Sequence, residues 1–224
     1  MVLLSDLAPA VVKLTLNRPE KRNALSIALR DTVSDTLRAL AGREDVKVVV
    51  LTGAGDVFSA GFDLKEFERL QEEPELGEAL WASSDRFHRG VIEFPLPLVA
   101  AVNGPALAGG FDLAVMCDLR VASESARFAH PELAFSEALY TPLHDLVGGA
   151  VARELCLTGR SVDAVEALDL RLVSSVVPRA GLLDEAKRVA VEIARAPREI
   201  LLRMKAKITR RSAVGSGVGG GLFE

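Results

Sequence analysis

Residues 97–123 read PLVAAVNGPALAGGFDLAVMCDLRVAS. Within them LVAAV (98–102) is an unbroken apolar run of strand length, the pattern of a strand covered on both faces. Asn103-Gly104-Pro105 breaks that run. AGGFDLAVMC (108–117) then reads as a helix entered through glycines, and DLRVAS returns as a strand. The same order occurs upstream. VKVVVLT (46–52) is a second buried strand, the glycine-punctuated GAGDVFSAGF follows it, and Asp63 is placed to cap a short helix through Leu70. Strand, glycine turn and helix in repeated succession define an α/β chain.

Outward from these stretches the pattern continues. AVVKLTLN (10–17) alternates and is β-branched, so it reads as a strand closed by the turn at Arg18-Pro19. Ser26 caps a predicted helix to Ala41, with Leu29, Val33, Leu37 and Leu40 on one face and Gly42 as its stop. Polar residues 71–77, with Pro74, predict a mobile surface loop before a helix over 78–94 that Pro95 and Pro97 end. From Leu143 helices dominate, apart from a strand near 173–177, and Pro197 suits the first turn of a last helix ending near Arg211. The final SAVGSGVGGGLFE is too rich in glycine to extend it and predicts a flexible tail.

Composition narrows the function classes. Hydrophobic residues form 49% of the 224-residue chain and charged residues 26%, which suits a globular protein. A net charge of −4 argues against broad nucleic-acid or anionic-membrane binding. No run reaches the ~18 apolar residues of a membrane span. The N-terminus lacks the basic start of a cleaved leader, so the expected location is cytoplasmic. Cys117 and Cys156 sit among apolar neighbours and read as buried reduced thiols.

The chemistry concentrates at two turns, SAGFDLKE (59–66) and NGPALAGGFDLA (103–114). Backbone N–H groups at a helix start lack internal acceptors and lie at the positive end of the helix dipole. Two such turns converging on one oxygen would form an oxyanion hole. Asp112 follows Gly109 by one helical turn, on the same face. Glu132, in RFAHPEL, stands just after Pro131, and a carboxylate among apolar residues tends to a raised pKa suited to proton transfer. Other sites are disfavoured. GAGDVF has Phe58 where a dinucleotide fingerprint wants glycine, and no G-x-S-x-G elbow is present. His88, His130 and His144 show no metal-ligand spacing, so no metal is expected. Lys21, Arg22 and Lys65 are surface cations placed in sequence to meet a phosphate.

Five segments taken together, LNRPEKRNALS, VVVLTGAGDVFSAGFDLKE, PLVAAVNGPALAGGFDLAVMCDLRVAS, ARFAHPEL and LTGRSVDAVEALDLRLVSSVVP, resemble the enoyl-CoA hydratase/isomerase, or crotonase, superfamily across residues 10–210. The resemblance implies a spiral of ββα units with a helical C-terminal region, and trimers often paired into hexamers. It divides the chain into an acyl-CoA-binding core (1–180), a C-terminal helical region (181–211) and the tail (212–224). It implies a coenzyme A thioester as substrate, with no separate cofactor. By position, the Phe62 and Gly109 amides become the oxyanion hole, Ala24, Ala60, Gly61, Asp63, Leu64 and Lys65 line the ligand, and Asp112 and Glu132 occupy the two catalytic carboxylate positions. The implied reaction is hydration of a 2-enoyl-CoA. The alternatives are a Δ3-Δ2-enoyl-CoA isomerase using Glu132 alone and a non-catalytic acyl-CoA-binding homologue. The chain departs from the hydratase pattern in three ways. Asp112 stands where hydratases carry Glu. Counted without gaps, Tyr140 stands where dienoyl-CoA isomerases have a third acid, but the segment after Glu132 is shorter, which leaves Glu137 or Asp145 as candidates to enter the pocket. The expected C-terminal helices are also fewer.

Overall fold

The computed structural model describes residues 1–70, 72–134 and 137–211. Its strands are β1 (Val2–Ala8), β2 (Val11–Leu16), β3 (Val48–Gly53), β4 (Leu98–Val102), β5 (Ala106–Leu107), β6 (Leu119–Ser123), β7 (Arg127–Ala129), β8 (Val162–Asp163) and β9 (Ser175–Val177). Its helices are α1 (Ile27–Ala41), α2 (Leu64–Arg69), α3 (Leu76–Ile92), α4 (Gly109–Met116), α5 (Tyr140–Thr158), α6 (Ala164–Asp169), α7 (Leu182–Ala194) and α8 (Arg198–Arg211).

The strands form two sheets. The larger has the order β1-β2-β3-β4-β6-β9, and the smaller β5-β7-β8. From β2 to β9 the large sheet is parallel, and β1 adds an antiparallel edge. Successive units send one strand into each sheet: β4 is followed by β5, and β6 by β7. After β3, the second strand is reduced to a single bridge, Ser59 to Ala106, and after β2 to another, Leu25 to Phe62. The chain therefore winds as a spiral of ββα units. Its first two turns carry the small sheet's direction through isolated bridges.

Both faces of the parallel strands are covered, so their side chains divide with period two. Leu14, Leu16, Val49, Leu51, Leu98, Ala100 and Val102 enter the main core with α1, α3 and α4. Val11, Val48, Val50, Val99, Ala101 and Val121 face Leu182, Ala186 and Ala190 of α7. Burying an aliphatic side chain of this kind contributes roughly 1.5–3 kcal/mol, which explains why continuous apolar runs mark the strands. The Ser26 hydroxyl accepts from the Leu29 amide to start α1, and Leu29, Val33, Leu37 and Leu40 are all buried.

Several sequence expectations are adjusted. Edge strand β1 has no apolar alternation because most of its side chains are exposed, so only its partner β2 was legible. Helix α3 begins at Leu76, within the polar stretch read as a loop over 71–77, and Gln71 lies outside the described residues. The glycine-rich stretch 212–224 also lies outside them. Both cysteines are free; Cys117 is buried and Cys156 half-buried. Among the described residues no helix is long and apolar enough to cross a membrane.

Candidate active site

The site is built where the C-terminal ends of β3 and β4 run into their glycine turns, and two asparagines hold those turns. Asn23, in the left-handed region at φ 54°, donates from Nδ2 to the carbonyls of Ala54 (2.9 Å) and Val57 (2.8 Å). Asn103 accepts from the Gly53 amide at 3.0 Å and donates to the Gly55 carbonyl at 2.9 Å. Ser59 ties the loop further: its hydroxyl donates to the Asn23 carbonyl at 2.9 Å, and its carbonyl accepts from the Leu107 amide at 3.0 Å. The Asn23, Asn103 and Ser59 side chains are thus paired with backbone, as most buried polar groups are.

The two turns touch. Gly61 has φ +87°, and a Cβ there would stand 2.6 Å from the Ala108 Cβ and 3.1 Å from the Gly109 nitrogen. A Cβ on Gly110 would lie 2.4 Å from the Ser59 carbonyl oxygen. Ala108 has φ 51° and ψ −132°, a conformation that costs a non-glycine residue about 1–3 kcal/mol and is typical of functional turns. It is the residue that turns β5 into α4, and its carbonyl accepts from Phe111 and Asp112. The Phe62 and Gly109 amides have no acceptor among the described residues. The Phe62 ring lies against Gly109, and the Arg30 guanidinium covers it at 4.6 Å. Arg30 is itself fully buried and donates to the Leu25 and Leu80 carbonyls. Sequence reading missed both Ala108 and Arg30, since backbone strain and a cation buried by tertiary packing leave no local pattern.

Beside this turn pair stand the acids. Asp112, on α4, and Glu132, on the 3-10 turn Pro131–Ala134, are both buried. Between them lies His130, whose Nδ1 is 3.0 Å from Glu132 Oε1 and whose Nε2 is 3.8 Å from Asp112 Oδ1. The His130 ring stacks on Phe111 with centroids 4.7 Å apart. Asp112 Oδ1 also accepts from the Leu139 amide at 3.3 Å. Burial raises Asp112 to about 7, and the charge of Glu132 pushes the same way against the pull of His130 and the Leu139 amide. Burial lowers His130, but its hydrogen bond to Glu132 and the charges of both acids outweigh that, so it is raised overall. Cys156, on α5, is raised to about 11 by burial and by the charges of Asp112 and Glu132, which keeps this thiol protonated. One polar side-chain atom from each of Asp112, His130 and Glu132 lies within 4.8 Å of those of the other two. The three side chains meet because the residue after β7 is placed against α4, a juxtaposition that sequence spacing does not signal.

The remaining candidates are placed as follows. Ala24 and Ala60 are half-buried, and the Ala60 amide donates to the Arg22 carbonyl, which joins the two segments. Asp63 pairs with Arg18 at 2.8 Å and caps α2 through the Lys65 amide. Leu64 and Lys65 are exposed on its first turn, and Lys21 and Arg22 are exposed on the adjoining segment. Glu137, Tyr140 and Asp145 are exposed, so none of these three joins the buried pair; the segment reaches Asp112 through the Leu139 backbone amide instead. His88 is buried with Nδ1 on the Ser84 carbonyl, and burial lowers its pKa. A cavity of about 200 Å³ between α1 and α3 includes none of these residues.

Alternating ββα units that present paired turns and buried acids make a crotonase-like fold. A model of the enoyl-CoA hydratase/isomerase family matches residues 7–216, and the chain belongs to that family. It is 44% identical over 186 residues to a putative enoyl-CoA hydratase of Thermus thermophilus, a match covering 80% of this chain and 73% of that protein. Two further curated relatives are matched over 65% of their length. Among solved structures, an enoyl-CoA hydratase from Bacillus anthracis superposes with a TM-score of 0.84 at 32% identity, covering 96% of this chain and 92% of that one. A monofunctional enoyl CoA isomerase from M. smegmatis superposes with a TM-score of 0.79 at 30% identity, covering 97% and 96%.

Proposed function

We propose that the chain hydrates 2-enoyl-CoA thioesters. The observation that carries this reading is a pair of buried acids, Asp112 one helical turn from Gly109 and Glu132 on the turn Pro131–Ala134, beside the Gly109 and Phe62 amides, which have no acceptor among the described residues. In this reading the thioester oxygen accepts from both amides, which stabilise the negative charge that develops as the carbonyl is polarised. That polarisation makes C3 electrophilic. Glu132 Oε1 is engaged by His130, while Oε2 is buried without a partner among the described residues. Oε2 is therefore the atom assigned to take a proton from the attacking water. The water oxygen bonds to C3, the C2–C3 π electrons pass towards the carbonyl, and a proton is delivered to C2, so that one water is added overall. Asp112, raised to about 7, holds the water and assists that delivery near neutral pH. Ala24, Ala60, Gly61, Asp63, Leu64 and Lys65 would line the coenzyme A portion, with the exposed Lys21, Arg22 and Lys65 towards its phosphates.

A second reading, Δ3-Δ2 isomerisation, is favoured by one observation: Asp112 is short and its Oδ1 is held by the Leu139 amide. Glu132 alone would then move a proton between C4 and C2. Purified protein is expected to bleach the ultraviolet absorbance of 2-enoyl-CoA thioesters. Unchanged absorbance across short and long chains would rule hydration out. Asp112→Asn separates the readings, since isomerisation survives it and hydration falls about tenfold or more.

A further inference from the structure

His130 is 1% exposed, and neither acid can be understood without it. Its Nδ1 lies 3.0 Å from Glu132 Oε1, so the proton on that side is donated to the carboxylate. A neutral ring with its proton on Nδ1 carries a lone pair on Nε2. That nitrogen has no hydrogen-bond partner among the described residues, is buried, and faces Asp112 Oδ1 at 3.8 Å. Lone pair would then confront carboxylate in a desolvated space, where an unpaired polar contact is costly. One proton between them removes the conflict, whichever atom carries it. It also reduces the buried charge of the three groups from two negatives to one.

We propose that His130 is a positioning residue whose ring, with Nε2 3.8 Å from Asp112 Oδ1, titrates together with that carboxylate while its Nδ1–H aligns Glu132, making the three side chains one coupled set. The ring is kept in this orientation by stacking on Phe111. The titratable groups around it are Asp112 from α4, Glu132 from the adjoining turn and the Cys156 thiol from α5, and the thiol remains protonated. With Oε1 occupied by the ring, Glu132 presents only Oε2 to a reacting water. The directions of the shifts agree, both Asp112 and His130 holding protons above their ordinary ranges. Such a set titrates in shared steps rather than residue by residue. Its catalytic consequence rests on the hydratase reading; its protonation does not.

The test is therefore made first without substrate. The chain has three histidines, so ¹⁵N-histidine spectra of the full protein from pH 5 to 9 can be assigned with single variants. In the wild type, His130 is expected to keep Nδ1 protonated and to titrate above the free imidazole range. In Asp112→Asn its midpoint is expected to fall by about one pH unit or more, because an opposite charge within a few ångströms is removed, with a similar fall in Glu132→Gln. The same midpoint in all three proteins, or a ring protonated on Nε2 alone, would overturn the proposal. In the second arm, His130→Gln, which can still donate to Glu132 but cannot titrate, should keep KM and lose about tenfold in kcat. It should also lose one ionisation from the pH profile, whereas His130→Phe, which keeps only the stacking, should lose more. Equal pH profiles for wild type and His130→Gln would contradict the proposal. Should the chain turn over no enoyl-CoA, the spectra alone decide the protonation while the hydratase reading fails separately.

Discussion

The two walls of the candidate site are built on opposite principles. On the donor wall nearly everything is backbone and nearly everything is satisfied: Asn23, Asn103 and Ser59 pair the turn carbonyls and amides, leaving the Phe62 and Gly109 amides over. The acid wall is made of side chains brought from two elements, and two of its buried atoms, His130 Nε2 and Glu132 Oε2, have no partner among the described residues. A satisfied wall is rigid and can aim dipoles; a partly unsatisfied wall can take up and release protons. The comparison teaches that stability is concentrated on one side of the pocket and reactivity on the other.

The largest expected effect comes from the acid wall. Glu132→Gln should lower kcat on an enoyl-CoA by about a thousandfold while thermal stability stays close to that of the wild type. A smaller loss, with the donor wall intact, would move the base elsewhere. Next, Gly110→Ala forces a Cβ to within 2.4 Å of the Ser59 carbonyl oxygen and should pry α4 from the Phe62 turn. A loss of about a hundredfold in kcat, together with about 2–4 kcal/mol of stability, is expected from activity assays and denaturant unfolding. Activity loss without destabilisation would break the claim that the donor wall is the rigid one.

Asp112→Asn sharpens the contrast through pH. Asp112 binds its proton more tightly in the folded chain than in the unfolded one, its value rising from 3.8 to about 7. Its contribution to stability is therefore fully present below the unfolded value and declines as pH rises towards 7. His130, also raised, acts in the same direction, its contribution falling as pH rises through its folded value. Denaturant unfolding should find Asp112→Asn more stable than the wild type at pH 8, by on the order of 2 kcal/mol, and a smaller advantage at pH 5. The smallest effect belongs to the rim. Lys65→Ala should raise KM for a coenzyme A thioester about fivefold, as expected for one exposed charge worth about 1 kcal/mol, with kcat unchanged.

Much of the fold was legible because its signals are local. The run LVAAV, the Ser26 cap and the leucine stripe of α1 each reflect burial over a few residues, and β4 falls at 98–102 as read. The turns at Gly61 and Gly109 were visible through their glycines, and Asp112 and Glu132 through spacing and the family pattern. What escaped lies in contacts between distant segments. His130 comes between the acids because β7 delivers it opposite α4, and its spacing from Asp112 carries no periodic signal. Arg30 looks like one more charge on an amphipathic helix until α3 and the Phe62 ring close over it. Edge strand β1 was hidden because its exposed side chains need no apolar alternation.

The most direct test of the central claim is to incubate the purified chain with a four-carbon 2-enoyl-CoA in D₂O and analyse the product by mass spectrometry and NMR. Water should be added across the double bond, with one deuterium at C2 and a solvent-derived hydroxyl at C3, and Glu132→Gln should slow both about a thousandfold. Recovery of the substrate unlabelled, or label and hydration at the wild-type rate in Glu132→Gln, would contradict the account.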